Sequence, residues 1–113
     1  MPYVDEKIKV LGQLYPTAGV LTEIYQVSAG KDTNVSSFVV SNHDSSNATF
    51  SVSIAVSNAV DDLKQYLYYD LPIPGKETFI ATVGFSLSTD DRIRVKSSNG
   101  QMSFNVFGSE VTY

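Results

Sequence analysis

The amino-acid sequence predicts an all-β protein that folds as a single antiparallel β-sandwich, with a jelly-roll or immunoglobulin-like topology. Its 113 residues are the length of one domain. The composition of 14 Val, 15 Ser, 8 Thr and 13 Phe and Tyr together favours strands, because β-branched and aromatic residues fit a pleated sheet. Turn-forming clusters recur roughly every 8–12 residues with no long helical period between them, which indicates about seven or eight short strands.

The first segment, residues 1–13, precedes the first turn cluster and carries Ile8 and Val10 on one face of an extended chain. Two interpretations stay open: an edge strand of the sandwich, or an N-terminal arm that docks on a neighbouring subunit. Ordering a free terminus costs about 1–2 kcal/mol of backbone entropy per residue, so an undocked arm would fray. We therefore divide the chain into residues 1–13, the arm or edge strand, and residues 14–113, the sandwich domain.

Residues 50–56 show the clearest alternation of apolar and polar side chains in the sequence. The large apolar residues of this strand share one face, so we expect all four to be buried: Phe50, Val52, Ile54 and Val56. Turn-forming residues 42–47 join this strand to the preceding one at residues 35–41. The pair is therefore predicted to form an antiparallel hairpin.

Further strands follow at short intervals and are predicted at residues 21–27, 65–71, 78–83, 85–87, 92–96 and 102–107. Gly84 is expected to form a bulge or a strand end between two of them. The dipeptide Asn99-Gly100 is the strongest hairpin-turn signal in the chain. It predicts that the strands on either side of it pair with each other.

The composition excludes several kinds of site. The chain has no cysteine and one histidine, His43, so neither a disulfide framework nor a thiolate or multi-histidine metal centre can form within it. We therefore expect no catalytic residues, no cofactor and no bound metal, and the protein is not expected to be an enzyme. The adjacent carboxylates Asp61-Asp62 and Asp90-Asp91 are interpreted as caps of solvated turns, the alternative being a Ca²⁺ site.

The charge balance bears on the partners. A net charge of −4 and a pI near 4.7 argue against nucleic acid, because phosphate binding needs concentrated Lys and Arg. No segment approaches the roughly 20 apolar residues that span a bilayer, so no membrane partner is expected. The N-terminal sequence lacks the apolar region of a secretory signal, which predicts synthesis and folding in a cytoplasm.

Two groups of residues are candidate interface positions on strand faces. Arg92, Arg94 and Lys96 form a basic row that suits either an acidic partner or an ordinary solvated face. Ile8 and Val10 would fill alternate pockets of a partner if their segment adds to a neighbouring sheet. If the segment is an edge strand, the same two residues belong to their own sandwich.

Tyrosines crowd the strand predicted at residues 65–71. Because buried strands take leucine readily, we assign Leu67 and Tyr69 to the inner face and Tyr66 and Tyr68 to the outer face. Exposed tyrosines serve as binding anchors for proteins or sugars, and they also act as cross-strand packing partners. Tyr66 and Tyr68 therefore join the candidate interface.

Three stretches in their order along the chain carry a family resemblance: residues 8–13 followed by 21–27, residues 35–42, and residues 103–110. Residues 68–73 lie between the second and the third. In the order of these segments the sequence resembles small virion structural proteins of tailed bacteriophages, and the resemblance extends over nearly its whole length. The resemblance carries no catalytic signature.

This resemblance implies a non-enzymatic virion protein, in first place a capsid cement or decoration protein that docks repeatedly on the shell. The alternatives are a tail, neck or fibre-attachment component, and, from a different class, a carbohydrate-binding adhesin module that uses Tyr66 and Tyr68. The implied partners are the major capsid protein or other virion proteins and further copies of the chain, as a homo-oligomer. The implied location is the virion, after synthesis in the host cytoplasm.

Overall fold

Eight strands and two single-turn 3₁₀ helices make up the structure, a computed structural model that describes residues 5–113. The strands are β1 Asp5–Leu14, β2 Thr22–Gln26, β3 Lys31–Asn42, β4 Ala48–Ala55, β5 Tyr66–Ile73, β6 Thr78–Leu87, β7 Arg92–Ser97 and β8 Met102–Thr112. The 3₁₀ turns Val56–Asn58 and Leu63–Gln65 lie between β4 and β5. The all-β prediction is confirmed, including the number of strands.

The strands form two four-stranded antiparallel sheets, ordered β1-β8-β3-β6 and β2-β7-β4-β5. The first strand pairs with the last, the second with the seventh, the third with the sixth and the fourth with the fifth. The chain is therefore a long two-stranded ribbon that folds over on itself, and eight strands in this arrangement make a jelly roll. Of the two topologies predicted from the sequence, the structure has this one.

Both predicted hairpins are wrong. β3 and β4 lie in opposite sheets, and so do β7 and β8. Gly100 does adopt a left-handed φ of +67° and Asn99 accepts a hydrogen bond from the Gln101 amide, so the turn chemistry is present. The turn nevertheless carries the chain from one sheet to the other, because β8 fills the place between β1 and β3.

The N-terminal segment forms the edge of the first sheet. β1 pairs antiparallel with β8 from Asp5 opposite Thr112 to Leu14 opposite Phe104, with a bulge between Val10 and Gly12. Within the described residues, the segment thus takes the edge-strand arrangement and not that of a detached arm. Residues 1–4 of the predicted segment 1–13 lie outside the described residues.

The core lies between the two sheets and is built largely from alternate residues of the strands, β7 and the first half of β8 most regularly. Phe50 and Val52 of β4 are buried as predicted, and Ile54 is partly buried against the core. Val56 is 62% exposed, which corrects the fourth predicted core position. The reason is that β4 ends at Ala55 and the chain turns away, with Ser57 at a positive φ of 51°.

Candidate interaction surface

The outer side of the sheet β1-β8-β3-β6 carries apolar and neutral polar side chains. Strand register places Val10 opposite Phe107, Phe107 opposite Ser37, and Val39 opposite both Ile80 and Asn105. We call this surface the uncharged face and define it by its outward residues in the described chain: Ile8, Val10, Gln13, Asn34, Ser36, Ser37, Val39, Ser41, Thr78, Ile80, Thr82, Ser86, Ser103, Asn105 and Phe107. Two charged residues, Glu6 and Asp32, point to the same side of the sheet, and both lie in the row opposite Val111 at one end of it.

Two apolar side chains of this face are unusually open to solvent. Ile8 is 89% exposed and Ile80 is 67% exposed, one on each edge strand of the sheet. A groove of about 450 Å³ lies beside Ile8 and is also lined by Val83, Gly84 and Gly108, with the carboxylate of Glu6 at its border. Single exposed apolar side chains are common on protein surfaces, so it is their combination with the groove that makes this face a candidate for binding a partner. Of the predicted interface positions, Ile8 and Val10 belong to this face.

The opposite sheet presents a charged outer face. Arg92 donates to Glu23 at 2.8 Å and to Asp90 at 2.9 Å, and these two carboxylates raise the pKa of its guanidinium above its usual value. Arg94 donates to the Asn58 side chain at 2.9 Å and to a main-chain carbonyl at 3.0 Å. Two members of the basic row are thus engaged within the chain, and Lys96 extends the row along β7. Its role as an interface stays a prediction.

The tyrosines of β5 do not lie as predicted. Tyr68 points into the core, with its ring centroid 5.4 Å from those of Phe38 and Phe79. Leu67 and Tyr69, the residues assigned to the inner face, are 46% and 57% exposed. The cause is irregular pairing with β4, which shifts register twice between Phe50 and Ser53 and breaks the strict alternation of sides.

Tyr66 lies on the outside of β5, where its ring packs edge-on against that of Tyr69 with centroids 5.1 Å apart. Partial burial, followed by the nearby Asp61 carboxylate, raises the pKa of Tyr66 to about 12. The hydroxyl therefore stays neutral at physiological pH. Tyr66 and Tyr68 do not form a common platform, and the outer aromatic pair is Tyr66 with Tyr69.

The connection between β4 and β5 exposes an apolar cluster that the sequence reading missed. Val56, Val60 and Leu63 are 62%, 86% and 71% exposed, and they continue onto Leu67 at the start of β5. The sequence does place the apolar residues Val60 and Leu63 on either side of Asp61-Asp62, the pair interpreted as the cap of a solvated turn. This apolar loop is a second candidate surface, distant in sequence from the uncharged face.

A buried polar cluster joins the two sheets at one end. The Tyr25 hydroxyl, on β2, donates to the Glu110 carboxylate on β8 at 2.6 Å. The Thr33 hydroxyl on β3 lies 2.6 Å from the hydroxyl oxygen of Tyr25. Since the tyrosine proton is already donated, Thr33 is the donor in the second bond. Lys9 and Lys31 also reach Glu110, at 3.1 and 3.4 Å.

The pKa directions follow from these contacts. The Tyr25 hydrogen bond, with support from Lys9 and Lys31, lowers the pKa of Glu110 against the opposing effect of its burial. Burial first, and then the adjacent carboxylate, raises the pKa of Tyr25. Both groups therefore hold fixed protonation states at neutral pH, as a structural link between the sheets would require.

The paired carboxylates lie in turns. Asp91 accepts hydrogen bonds from the backbone amides of Ser57 and Ser88, and Asp62 accepts one from the amide of Lys64. The ring of His43 packs at an inclined angle against that of Tyr15, with centroids 5.5 Å apart, and its Nε2 lies 3.1 Å from the Ser103 hydroxyl. Across residues 5–113, no group of three or more His, Asp or Glu side chains is arranged to hold a metal ion. The same range contains no helix with the length and apolarity of a membrane span.

Fold and surface together define a small jelly-roll β-sandwich with one charged and one uncharged sheet face. No protein-family model matches the sequence, and no curated protein matches it. Among solved structures, a chain in the structure of infectious bursal disease virus, Gx strain, is similar, with a TM-score of 0.54 and 11% sequence identity. The match covers 97% of this chain and 33% of the viral one, so this chain corresponds to about a third of its length.

At this level of identity the likeness shows a shared fold. That neighbour comes from the structure of a virus, and at 11% identity it shows the fold of this chain and not its role. The assignment to tailed bacteriophages stays a prediction.

Proposed function

We propose that this protein is a non-enzymatic structural component of a virion, a cement or decoration protein that docks on the shell of a phage through its uncharged face. The observation that carries the proposal is the outer side of the sheet β1-β8-β3-β6, where Ile8 and Ile80 stand open to solvent among neutral side chains. Its partner would be the major capsid protein or another virion protein, and its location the particle.

Docking favours such a surface because most of it can be desolvated without stripping water from charges, which lie only at its Glu6 and Asp32 end. Burying an unpaired charge is costly, and the cores of protein interfaces are accordingly depleted in charged residues. The outward side chains of the opposite sheet, such as Arg92 and Glu23, already satisfy each other and gain little from a partner. Many identical weak contacts on a symmetric shell would then hold the protein by avidity.

The fold supports the same proposal independently of the surface. Jelly rolls are recurrent in viral capsids and in lectins, and the similar chain comes from the structure of a virus. The lectin-like alternative, an adhesin that binds sugar through Tyr66 and Tyr68, loses its basis because Tyr68 lies in the core. A tail, neck or fibre-attachment role would use the same uncharged face and differs only in the location on the particle.

Binding to particles tests the proposal. Phage shells that lack this protein would be mixed with the purified chain or with Ile8→Glu, and the bound fraction measured by co-sedimentation. The matched control is Val60→Glu, which places the same charge at a residue that is 86% exposed on the apolar loop. We expect the Ile8 variant to bind at least about tenfold more weakly, because a carboxylate must be desolvated at the contact, and the control to bind normally.

The reverse pattern would overturn the proposed surface and assign docking to the apolar loop. A third variant, Lys96→Glu, examines the predicted basic row in the same assay. An electron cryo-microscopy map of the particle then distinguishes shell from tail, since density for the chain appears on one or the other.

A further inference from the structure

The two sheets leave four edge strands, β1 and β6 in one and β2 and β5 in the other. An edge strand presents a row of unpaired backbone N–H and C=O groups to any other chain that can extend. Natural proteins protect such edges with charges, prolines, bulges or short strands. The four edges of this molecule differ in that respect.

Three of the edges carry charges, a proline or a short strand. β1 has Lys7 and Lys9 along its length, and β2 is only five residues long and contains Glu23. β5 contains Pro72 and holds Asp70 at a positive φ of 48°, so its edge is irregular. Each of these features opposes the addition of another strand.

The fourth edge, β6, carries no charged residue and no proline over ten residues, Thr78–Leu87. Its register with β3 is regular from Thr78 to Thr82, and a bulge at Val83 and Gly84 precedes the second part of the strand. Its outward side chains, among them Ile80 and Thr82, are exposed. Within residues 5–113, the side of β6 away from β3 pairs with no strand.

We infer that β6 binds β6 of a second copy of this protein as antiparallel strands, which joins the two sheets β1-β8-β3-β6 into one eight-stranded sheet. Charge selects a second copy as the occupant. An uncharged strand can pair with itself without opposing like charges, although each molecule carries a net charge of −4. By contrast, self-pairing of β1 about Ile8 would place Lys7 opposite Lys9 of the other copy.

Symmetry adds a second argument. Two antiparallel copies of one edge are related by a twofold axis perpendicular to the sheet, which is the symmetry of most homodimers. Both open edges are then satisfied at once, whereas a single added peptide would present a new edge of its own. The same axis leaves both uncharged faces on one side of the dimer. The inference does not depend on the proposed function, because it concerns the purified chain alone.

Sedimentation velocity of the full chain over a concentration series tests this inference, with Thr82→Lys as the variant. The substitution puts a charge near the middle of β6 at an exposed outward position, and a twofold axis through the middle of the strand would bring the two added charges close together. Thr17→Lys, at an exposed position in the β1–β2 loop, makes the same charge change elsewhere and is the control.

We expect the parent and the Thr17 variant to form dimers, and the dimer dissociation constant of the Thr82 variant to be at least about tenfold higher. Circular dichroism shows whether the variant is still folded, which separates weaker dimerisation from unfolding. Amide hydrogen exchange gives a second readout that needs no variant: protection of β6 should rise with protein concentration, while that of β1 should not. A parent chain that stays monomeric up to about millimolar concentration overturns the inference. So does equal dimerisation of both lysine variants without concentration-dependent protection of β6.

Discussion

Tyr25→Phe is the substitution expected to reveal what holds the two sheets together at the Glu110 end. The phenol oxygen is the only atom removed, and it makes two 2.6 Å hydrogen bonds, to Glu110 and to Thr33. Tyr25 is 8% exposed and Thr33 is fully buried, so water cannot replace the lost partner easily. A hydrogen bond to a charged group contributes about 1.5–3 kcal/mol, and an unsatisfied buried hydroxyl costs about 1–3 kcal/mol.

The loss should fall short of the sum of these values, because Lys9 and Lys31 continue to pair with the carboxylate of Glu110. We therefore expect the free energy of unfolding to drop by about 2–3 kcal/mol, a large share of the 5–15 kcal/mol typical of a domain. Urea denaturation measures it, as a lower midpoint at unchanged slope. Tyr113→Phe is the matched control, since that hydroxyl lies 3.2 Å from Asp32 on a residue that is 61% exposed.

A double-mutant cycle with Glu110→Gln separates the bond from the general effect of the substitution. If the two residues act together, the double variant loses less stability than the two single losses added. The reasoning would be refuted if Tyr25→Phe and Tyr113→Phe lost the same stability, or if the cycle showed no coupling energy.

Three further outcomes follow from the structure. The pKa of Glu110 in the folded protein lies below its ordinary 4.5, so the contribution of this residue to stability is present above that pH and is lost as the pH falls through the lowered pKa. Glu110→Gln should therefore weaken the loss of stability at acidic pH, seen in urea midpoints measured from about pH 3 to 6. Val52→Ala should cost about 2–3 kcal/mol and Val56→Ala less than about 0.5 kcal/mol by the same measurement, and similar losses would contradict the end of β4 at Ala55. Deletion of residues 2–10 removes most of β1 and the Lys9 contact with Glu110, so the truncated chain should melt well below the parent; a truncated chain of unchanged melting temperature would return the segment to the arm interpretation.

Local patterns were sufficient to predict the strands themselves. Alternation marked Phe50 and Val52 as core residues, and Gly84 lies in the bulge of β6 that its position suggested. These features depend on a few neighbouring residues, because side-chain alternation and backbone freedom at glycine are properties of the local chain.

The pairing of strands could not be predicted in the same way. The turn at Asn99-Gly100 uses residues that suit a tight hairpin, yet the same residues also suit a link between stacked sheets. Which of the two forms depends on whether β1 and β3 leave a place for β8, and that information is spread over the whole chain. The error at Tyr68 has a similar origin, since a bulge opposite β4 reverses the side on which later residues lie.

The Tyr25–Glu110 link was missed because its members are 85 residues apart in sequence. Glu110 follows Gly108 and Ser109, beyond the strand predicted at residues 102–107, so nothing local marked its carboxylate as buried. Tyr25 of β2 becomes the hydrogen-bond partner of Glu110 only when the ribbon of strands has folded over on itself.

The asymmetry between the two sheets connects the proposed docking with the proposed dimer. The charged face of β2-β7-β4-β5 satisfies its arginines internally, so it is suited to stay in contact with water. The polar side chains of the uncharged face pair with one another, as Gln13 does with Asn105 and Ser86 with Asn34, so its open groups are mainly apolar. β6 extends the same neutral chemistry to the sheet edge. A dimer joined at β6 would place two uncharged faces side by side, so that one encounter with a repetitive surface engages both. Linked weak contacts of this kind exceed either contact alone by about 10²–10⁴ in affinity. If both proposals hold, the neutral side chains on this face and on the β6 edge would together serve repeated attachment without any single strong contact.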